Sequence, residues 1–149
     1  MVGFHDGNYK LQDAFEAYLN ANLPAYNSGA AASLTIVKGG DFGNRGGDHI
    51  YIVVPNMKED PPLSGTYLAD LIVGVATLKD TVLATHREYV KSVFDLMEDA
   101  DLADYINALP GTKIQMNQTV DGMEQAIGAM TDALRFSEIR VKLRVWQIP

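Results

Sequence analysis

The feature that most constrains the fold is an apolar run at residues 68–78, Leu-Ala-Asp-Leu-Ile-Val-Gly-Val-Ala-Thr-Leu. Successive side chains of a β-strand point to opposite faces. Both alternating sets are apolar here, with Ala69, Leu71, Val73 and Val75 on one face and Leu68, Ile72, Ala76 and Leu78 on the other. A strand with this pattern is covered on both faces. The run therefore predicts an interior strand on which other elements pack.

The longest amphipathic segment follows this strand, at residues 86–109. Thr85 and Glu88 have the spacing of a capping box, in which each side chain accepts the backbone N–H of the other residue. The pattern breaks at residues 99–101, where Asp101 is placed to cap a second short helix. The segment predicts helix packed on the strand, as one bent helix or as two. Its apolar stripe begins with Tyr89, Val90, Val93, Phe94 and Met97.

Two strands are predicted before the interior strand, at residues 33–38 and 49–54, because both segments are rich in β-branched side chains. We interpret them as an antiparallel hairpin joined by a glycine-rich connection, and Pro55 is expected to end the second strand. A helical stripe at residues 9–23 predicts a helix that precedes both strands, and Pro24 ends it.

The C-terminal third is less regular until its last segment. Residues 112–123 are polar and poorly patterned, and residues 124–134 predict either a helix or an irregular crossing because Gly128 interrupts a helical stripe. The last segment predicts a strand with one buried side and one solvent-facing side. Its apolar set is Ile139, Val141, Leu143 and Val145, and its other set is Arg140, Lys142, Arg144 and Trp146.

Length and composition fit one domain over residues 1–149, with 47% hydrophobic and 21% charged residues. The elements predict an α+β fold with a small mixed or antiparallel sheet of about four strands and helices packed on it.

The chain has no cysteine, which excludes disulfides, thiolate metal sites and cysteine nucleophiles. The N-terminal residues show neither the basic region nor the apolar region of a signal peptide, so we expect a cytoplasmic protein.

The net charge is −7, and an acidic protein of this kind repels nucleic acid because binding depends on neutralising phosphates. The charges are unevenly placed, which indicates either solvated faces or docking of one copy on another. Acidic residues crowd the segment with Asp95, Glu98, Asp99, Asp101 and Asp104, and basic residues crowd the C-terminal end with Arg135, Arg140, Lys142 and Arg144.

The glycine-rich connection at residues 39–48 does not fit a phosphate-binding loop. Such loops lead into a helix and carry a Lys-Ser or Lys-Thr pair, whereas this segment leads into a strand without that pair. We interpret it as the tip of the hairpin. Its two large side chains, Phe42 and Arg45, are candidate partner contacts.

No set of residues in the sequence points to catalysis, a cofactor or a metal. His5, His49 and His86 lack the short spacing of metal ligands, so structural or solvated roles are expected for all three. The carboxylates of residues 95–104 lack the pattern of an EF-hand and indicate a solvated face. No serine has the context of a nucleophile elbow. These observations favour a protein that is not an enzyme.

The solvent-facing side of the last strand has two interpretations. Exposed lysines and arginines commonly protect a sheet edge from aggregation. Alternatively, this side docks on an acidic neighbour, with Trp146 as an anchor, since Trp and Arg are enriched at such contacts. In the second interpretation the contact residues are Arg140, Lys142, Arg144 and Trp146 on one copy and Asp101 and Asp104 on the next.

The order of these elements resembles the tail terminator (tail completion) subunits of long-tailed bacteriophages. In that family a strand and a turn lead into a helix with the register His/Arg-Glu-x-Val-x-x-Val/Ile, and a basic-apolar strand closes the chain. The corresponding segments here are Thr85-His-Arg-Glu-Tyr-Val-Lys-Ser-Val-Phe-Asp-Leu96 and Arg140-Val-Lys-Leu-Arg-Val-Trp-Gln-Ile148. The resemblance spans most of residues 9–149. The glycine-rich residues 39–48 and the unpatterned residues 112–123 depart from it.

The resemblance implies a structural subunit of the virion that forms a homo-oligomeric ring, typically a hexamer. Such a ring caps the tail tube protein and joins it to the head-completion (neck) protein, and DNA passes through it. Assembly takes place in the host cytoplasm. No catalytic residue or cofactor is carried over. The alternatives are another neck or tail-tube subunit of a phage, or a small α+β ligand-binding or enzymatic domain.

Overall fold

A computed structural model describes residues 6–39, 47–109, 114–117, 123–130 and 134–147 of the chain. Of the α-helices, α1 (Gly7–Asn22) precedes the first three strands, and α2 (Leu83–Met97) and α3 (Leu102–Asn107) lie between the third and fourth strands. Six strands are described, namely β1 (Thr35–Lys38), β2 (His49–Glu59), β3 (Thr66–Leu78), β4 (Ile114–Asn117), β5 (Met123–Met130) and β6 (Leu134–Gln147).

All six strands belong to one mixed sheet, in the order β1-β2-β3-β6, and β4 and β5 both lie along the far side of β6. The β1–β2 pair is parallel, and the other pairs are antiparallel. The α+β class is confirmed, and the four predicted strands are present. Two further strands, β4 and β5, complete the sheet.

The core lies between the three helices and one face of the sheet. The alternating residues Leu71, Val73, Ile139 and Val141 point to this side, which we call the core face, and all four are buried. Helix α2 packs on β3, as predicted, and its Val93 and Phe94 are buried in the core that the two elements share. Burying an aliphatic or aromatic side chain contributes about 1.5–3 kcal/mol, so this layer supplies most of the driving force.

Helix α1 covers the core face beside α2. Its stripe of Leu11, Phe15, Tyr18 and Leu19 is buried, which confirms the predicted helix. The hydroxyl of Tyr18 donates a hydrogen bond to the backbone carbonyl of Leu96 over 2.6 Å. Burial raises the pKa of Tyr18, with smaller contributions from nearby acidic groups, so the hydroxyl keeps its proton. The bond ties α1 to the C-terminal end of α2.

The predicted capping box of α2 is wrong. The helix begins at Leu83, with Val82 in the N-cap position and no side-chain cap. Thr85 and His86 donate their backbone N–H groups to the carbonyl of Val82, so Thr85 already lies inside the first turn. The helical segment divides into α2 and α3. Asp101 holds the N-cap position of α3 without a side-chain cap, and its N–H donates to the carboxylate of Asp99.

The predicted hairpin of the first two strands is also wrong, because β1 and β2 run parallel. Gly39 donates its N–H to the carbonyl of Ile52 over 2.9 Å, as the next step of this parallel ladder. Pro55 does not end the second strand. It lies at a register shift between Val53 and Asn56, where a bulge accommodates a residue that has no N–H.

The prediction of a helix or an irregular crossing at residues 124–134 is wrong for residues 124–130, because β5 occupies Met123–Met130 and pairs with β6, and residues 131–133 lie outside the described residues. The unpatterned segment before β5 contains β4, whose Ile114–Asn117 pair with the end of β6.

The closing strand, β6, is longer than its apolar alternation indicated. It pairs with β3 over thirteen consecutive positions, from Thr66 opposite Trp146 to Leu78 opposite Leu134.

Candidate functional site

The basic residues of the closing strand lie on the side of the sheet that faces away from the helices, which we call the outer face. In the register of β3 and β6, Ile72 stands opposite Arg140, Asp70 opposite Lys142, and Leu68 opposite Arg144. These pairs alternate with the buried pairs of the core face. The predicted division of β6 into a buried side and an opposite basic side is therefore confirmed.

Edge protection does not explain these basic residues. Strand β6 is an interior strand, because β3 pairs with one of its sides and β4 and β5 pair with the other. An interior strand exposes no unpaired backbone groups that charged side chains need to shield. The basic residues of the outer face therefore need another explanation.

Two of the basic side chains are held by other groups of the same chain. Arg140 donates to the carboxylate of Glu138 from Nε at 2.9 Å and from Nη2 at 2.5 Å. Arg144 donates to the backbone carbonyl of Asp60 at 2.9 Å and lies 3.7 Å from its carboxylate. Lys142 is exposed. The outer face is therefore basic but partly neutralised, and Arg140 and Lys142 are both exposed on it.

Apolar side chains lie among these charges. Val53 and Ile72 stand opposite each other in neighbouring strands of the outer face, and both are half-buried. Trp146 is also half-buried, at the end of β6 opposite Thr66. A mixture of partly exposed apolar groups with Arg and Trp is typical of protein contact surfaces.

The acidic residues lie on the helices, at the other side of the molecule. Glu98, Asp99, Asp101 and Asp104 are exposed at the end of α2 and in the turn and helix that follow. Asp95 differs, because Lys91 and the hydroxyl of Tyr26 both donate hydrogen bonds to its carboxylate. These two bonds hold the pKa of Asp95 below its usual value, Lys91 having the larger effect.

Phe42 and Arg45, the candidate contacts in the glycine-rich segment, lie outside the described residues. Of the other predicted interface residues, the structure brings Arg140, Lys142, Arg144 and Trp146 together on the outer face. It places Asp101 and Asp104 on the helical side. The two groups do not meet within one chain, because the sheet and the helical layer separate them.

A buried polar chain centred on His86 was not predicted. Its Nδ1 lies 2.8 Å from the hydroxyl of Thr77 in β3, and its Nε2 lies 2.8 Å from the hydroxyl of Ser137 in β6. His86 is 3% exposed. Burial lowers its pKa, the positive charge of Arg135 lowers it further, and Asp48 opposes both effects. No sequence signal connects these residues, because 51 positions separate His86 from Ser137.

Ser137 and His86 are arranged like the nucleophile and the general base of a hydrolytic triad. In hydrolytic triads a carboxylate holds the histidine and stabilises its charged form. Here the neutral hydroxyl of Thr77 takes that place, and burial disfavours the charged form. The hydrogen bonds from His86 to Thr77 and Ser137 are suited to holding α2 against β3 and β6 rather than to transferring a proton at neutral pH.

His49 is the second buried histidine, at the start of β2. Its Nδ1 lies 2.9 Å from the carbonyl of Gly47. A carbonyl can only accept, so Nδ1 carries the proton and Nε2 is an acceptor. Among the described residues this nitrogen has no hydrogen-bond partner, and it is shielded from solvent. Within the described ranges no three acidic or histidine side chains come together in a way that could hold a metal ion.

The fold and the two charged surfaces define the class of protein as a single-sheet α+β protein with acidic residues from the end of α2 to α3 and a basic outer face. Comparison with known protein families and with curated protein sequences finds no match to this chain. In the part of the chain that the structure describes, no helix is long and apolar enough to cross a membrane.

Proposed function

We propose that this protein is a structural subunit of a homo-oligomeric ring, and that the ring is the terminator of a long-tailed phage tail. The single observation that carries the ring is the placement of opposite charges on opposite sides of the subunit. Lys142 and its basic neighbours lie on the outer face of the sheet, and Asp101 and Asp104 lie on the helical side.

This placement favours head-to-tail association. Two surfaces of opposite charge that point away from each other cannot bind within one subunit, but the acidic side of one copy can bind the basic side of the next. A contact between two different surfaces is heterologous, and it produces a closed ring when the rotation between copies closes. A two-fold dimer would instead place like charges together on the same surface, which costs energy.

The outer face also offers apolar area to such a contact. Val53 and Ile72 form an apolar pair beside the basic residues, and Trp146 lies at the end of the same face. Interfaces obtain most of their binding energy from buried apolar and aromatic groups, while charged groups select the partner and the register. The basic face is therefore suited to binding the helical side of a second copy.

The assignment to a phage tail rests on the resemblance of the order of elements. In this proposal the ring is a hexamer that caps the tail tube and joins it to the head-completion protein, and it assembles in the host cytoplasm as part of the virion. The protein has no enzymatic role and no cofactor. The net charge of −7 lets DNA pass through the ring without binding to it.

The test has two stages. Native mass spectrometry and negative-stain imaging of the purified chain should show a closed ring at low salt, and less of it as salt rises, because exposed charges are screened over about 8 Å at physiological ionic strength. A monomer at all salt concentrations would overturn the ring. A monomer that carries a small molecule would support the ligand-binding alternative.

The second stage concerns the tail. The tail-tube protein encoded in the same genome is polymerised and mixed with the ring. Rings at one end of the tubes, together with an arrest of tube growth, are expected. Rings that do not bind the tube ends would be consistent with a ring-forming subunit but would rule out the terminator function.

A further inference from the structure

The connection between β2 and β3 displays a leucine to solvent. Residues 60–65, which we call the hairpin tip, join these two antiparallel strands. Leu63 in the tip is 82% exposed, the largest value for a large apolar residue in the part of the chain that the structure describes. A leucine this exposed gains little stabilisation from the core of its own chain.

Hydrogen bonds order the backbone of the hairpin tip. The carboxylate of Glu59 accepts the N–H of Leu63 at 2.7 Å and the N–H of Gly65 at 3.1 Å. Ser64 donates its N–H to the carbonyl of Pro61 at 3.1 Å. The position of Leu63 is therefore fixed before a partner binds, which removes much of the entropy cost of ordering a loop in an interface.

The backbone conformation at Leu63 is unusual for this residue type. Its φ is 65°, in the left-handed region that glycine and asparagine adopt far more readily than leucine. A strained and exposed leucine destabilises the isolated chain, and strain of this kind is concentrated at binding and switching sites. Leu63 is therefore a candidate binding residue rather than a structural one.

The hairpin tip adjoins the basic part of the outer face. Arg144 of β6 donates to the carbonyl of Asp60, the first residue of the tip, at 2.9 Å. Lys142 lies two residues before Arg144 in β6, about 6–7 Å further from the tip. Two cations and then an exposed leucine thus follow one another towards the end of this face.

Helix α3 presents a matching order of side chains. Asp101, Asp104 and Ala108 are exposed, and Ala108 donates its N–H to the carbonyl of Asp104, so the helical geometry extends to it. Residues three and four apart in a helix lie on one side, about 5–6 Å from each other. The two carboxylates therefore have nearly the spacing of the two cations, and a small apolar residue follows them.

We propose that the hairpin tip of one copy binds α3 of the next copy, and that Leu63 packs against Ala108 there. The accompanying ion pairs are Lys142 with Asp101 and Arg144 with Asp104. The inference rests on the proposed ring, because it joins the same two surfaces of neighbouring copies. It adds the apolar anchor of that contact and the direction in which α3 lies on the basic face.

The charges select this direction. With α3 reversed, the residues beyond the two paired carboxylates would be Glu98 and Asp99, which are also exposed. Leu63 would then shield carboxylates from water without offering them a partner, which costs energy. Arg144 can join the contact while it keeps its bond to Asp60, because a guanidinium group has five N–H donors.

Leu63→Asn tests the anchor. Asparagine tolerates the left-handed region, so the variant should keep or raise the melting temperature of the monomer, measured at high salt. It should weaken assembly in sedimentation by about tenfold or more, because the burial of a leucine is lost. The matched control is Leu83→Asn, which changes an exposed leucine near the opposite end of β3 and should leave assembly unchanged. A lower melting temperature for Leu63→Asn would show that Leu63 packs within its own chain, which overturns the inference.

Cysteine cross-linking tests the direction, because the chain has no cysteine of its own. Leu63→Cys and Ala108→Cys chains are mixed at high salt, assembled at low salt and oxidised. Residues in contact can bring their Cα atoms within the range of about 4.4–6.8 Å that a disulfide requires. We expect disulfide-linked dimers from the mixture and none from either variant alone. The matched control is Ala100→Cys, which replaces an exposed alanine at the other end of the acidic segment and should not link to Leu63→Cys.

The outcomes separate this inference from the proposed ring. A ring that forms without the link between positions 63 and 108 and tolerates Leu63→Asn overturns the inference and leaves the ring. Links to Ala100→Cys, or dimers of Leu63→Cys alone, also overturn it. Specific links between positions 63 and 108 without a closed ring support the inference and overturn the ring. A monomer that gives no link overturns both.

Discussion

The ring of Tyr51 occupies the space where a side chain at Gly74 would lie. A Cβ atom added to Gly74 would stand 2.2 Å from Cζ of Tyr51, far inside van der Waals contact. The tyrosine hydroxyl donates to Glu138 over 2.8 Å, and Glu138 in turn accepts from Arg140. The absence of a side chain at position 74 thus allows a polar chain to extend across the outer face from β2 to β6.

Gly74→Ala should displace Tyr51 and destabilise the fold by about 1–3 kcal/mol, the usual range for overpacking of a tight site. The measurement is the free energy of unfolding in urea. Tyr51→Ala removes the obstructing ring, so Gly74→Ala should cost much less in the Tyr51→Ala background. Equal costs in both backgrounds would show that the two residues are not coupled.

Phe94→Ala should lower the free energy of unfolding by about 3–5 kcal/mol, because Phe94 is buried between α2 and the sheet. Leu83→Ala is the matched control on the same helix, since Leu83 is 45% exposed and should cost little. Urea midpoints measure both. A small effect for Phe94→Ala would contradict the packing of α2 on β3.

The protein should become less stable as the pH falls from 7.5 to 5. The pKa of His86 is lowered in the folded state, mainly by burial. The unfolded chain binds a proton near the ordinary histidine pKa of about 6.5, and the folded chain binds it only at lower pH. The contribution of His86 is therefore fully present above that pH and is lost as the pH falls toward the folded pKa, by about 1.4 kcal/mol for each unit of separation.

His86→Asn is the comparison variant for this effect, because it has no group that titrates in the range. Urea unfolding at several pH values should show a shallower pH dependence for the variant than for the wild type. The other histidines are present in both proteins, so the difference isolates His86. Parallel curves would show that His86 takes up its proton equally well in the folded and unfolded chains.

Asn107→Asp should destabilise the fold by about 1–3 kcal/mol, the cost of leaving a buried hydrogen-bonding group without its partner. The carboxylate cannot donate to the carbonyl of Met116, and it brings a negative charge beside that oxygen. Asn20→Asp makes the same chemical change at an exposed position of α1 and serves as the control. Urea unfolding of both variants decides whether the amide of Asn107 holds β4.

Lys142→Asp should weaken ring assembly, because it reverses the charge of an exposed cation on the outer face. The control is Lys79→Asp, an equal charge change at an exposed turn. Sedimentation at low and high salt measures assembly, and a thermal melt of each variant confirms the fold. Restoration of assembly by Asp101→Lys and Asp104→Lys in the same chain would show that the two surfaces meet. Unchanged sedimentation of Lys142→Asp would contradict a contact at this face.

Strong periodicity predicted the parts of the fold that depend on local pattern. The two-sided apolar run of β3, the stripe of α1 and the alternation of Ile139 to Val145 all lie in the predicted elements. This apolar periodicity marks the side chains that are buried, and burial of those side chains stabilises the elements. The register of apolar residues also predicted which residues of β6 point away from the core.

Features that depend on pairing between distant segments were not predicted. Whether β1 and β2 run parallel is decided by the path of the chain between them, and no local pattern records that path. Strand β5 has weak alternation, because Gly128 and two alanines give it few side chains with a preference. The interior position of β6 was missed for the same reason, since its partners β4 and β5 were not recognised as strands.

The candidate site was predicted only as two sets of charges. Their separation onto opposite sides of the subunit follows from the pairing of β3 with β6 and from the position of α3, which composition does not indicate. The bonds of Arg140 to Glu138 and of Arg144 to Asp60 were also not foreseen, although Glu138 lies two residues from Arg140. Residues i and i+2 of a strand lie on the same face, so the bond between Arg140 and Glu138 could have been predicted from the sequence.

The place of β6 in the sheet has a consequence for how the protein is made. It is the last of the six described strands to be synthesised, yet it pairs with three others. Until it leaves the ribosome, β3 has one unpaired edge and an apolar face that only helices can cover. Contacts between segments this far apart in sequence form slowly. The nascent chain therefore passes through a stage at which its most apolar strand is open to other chains, and completion of the sheet has to wait for its final strand.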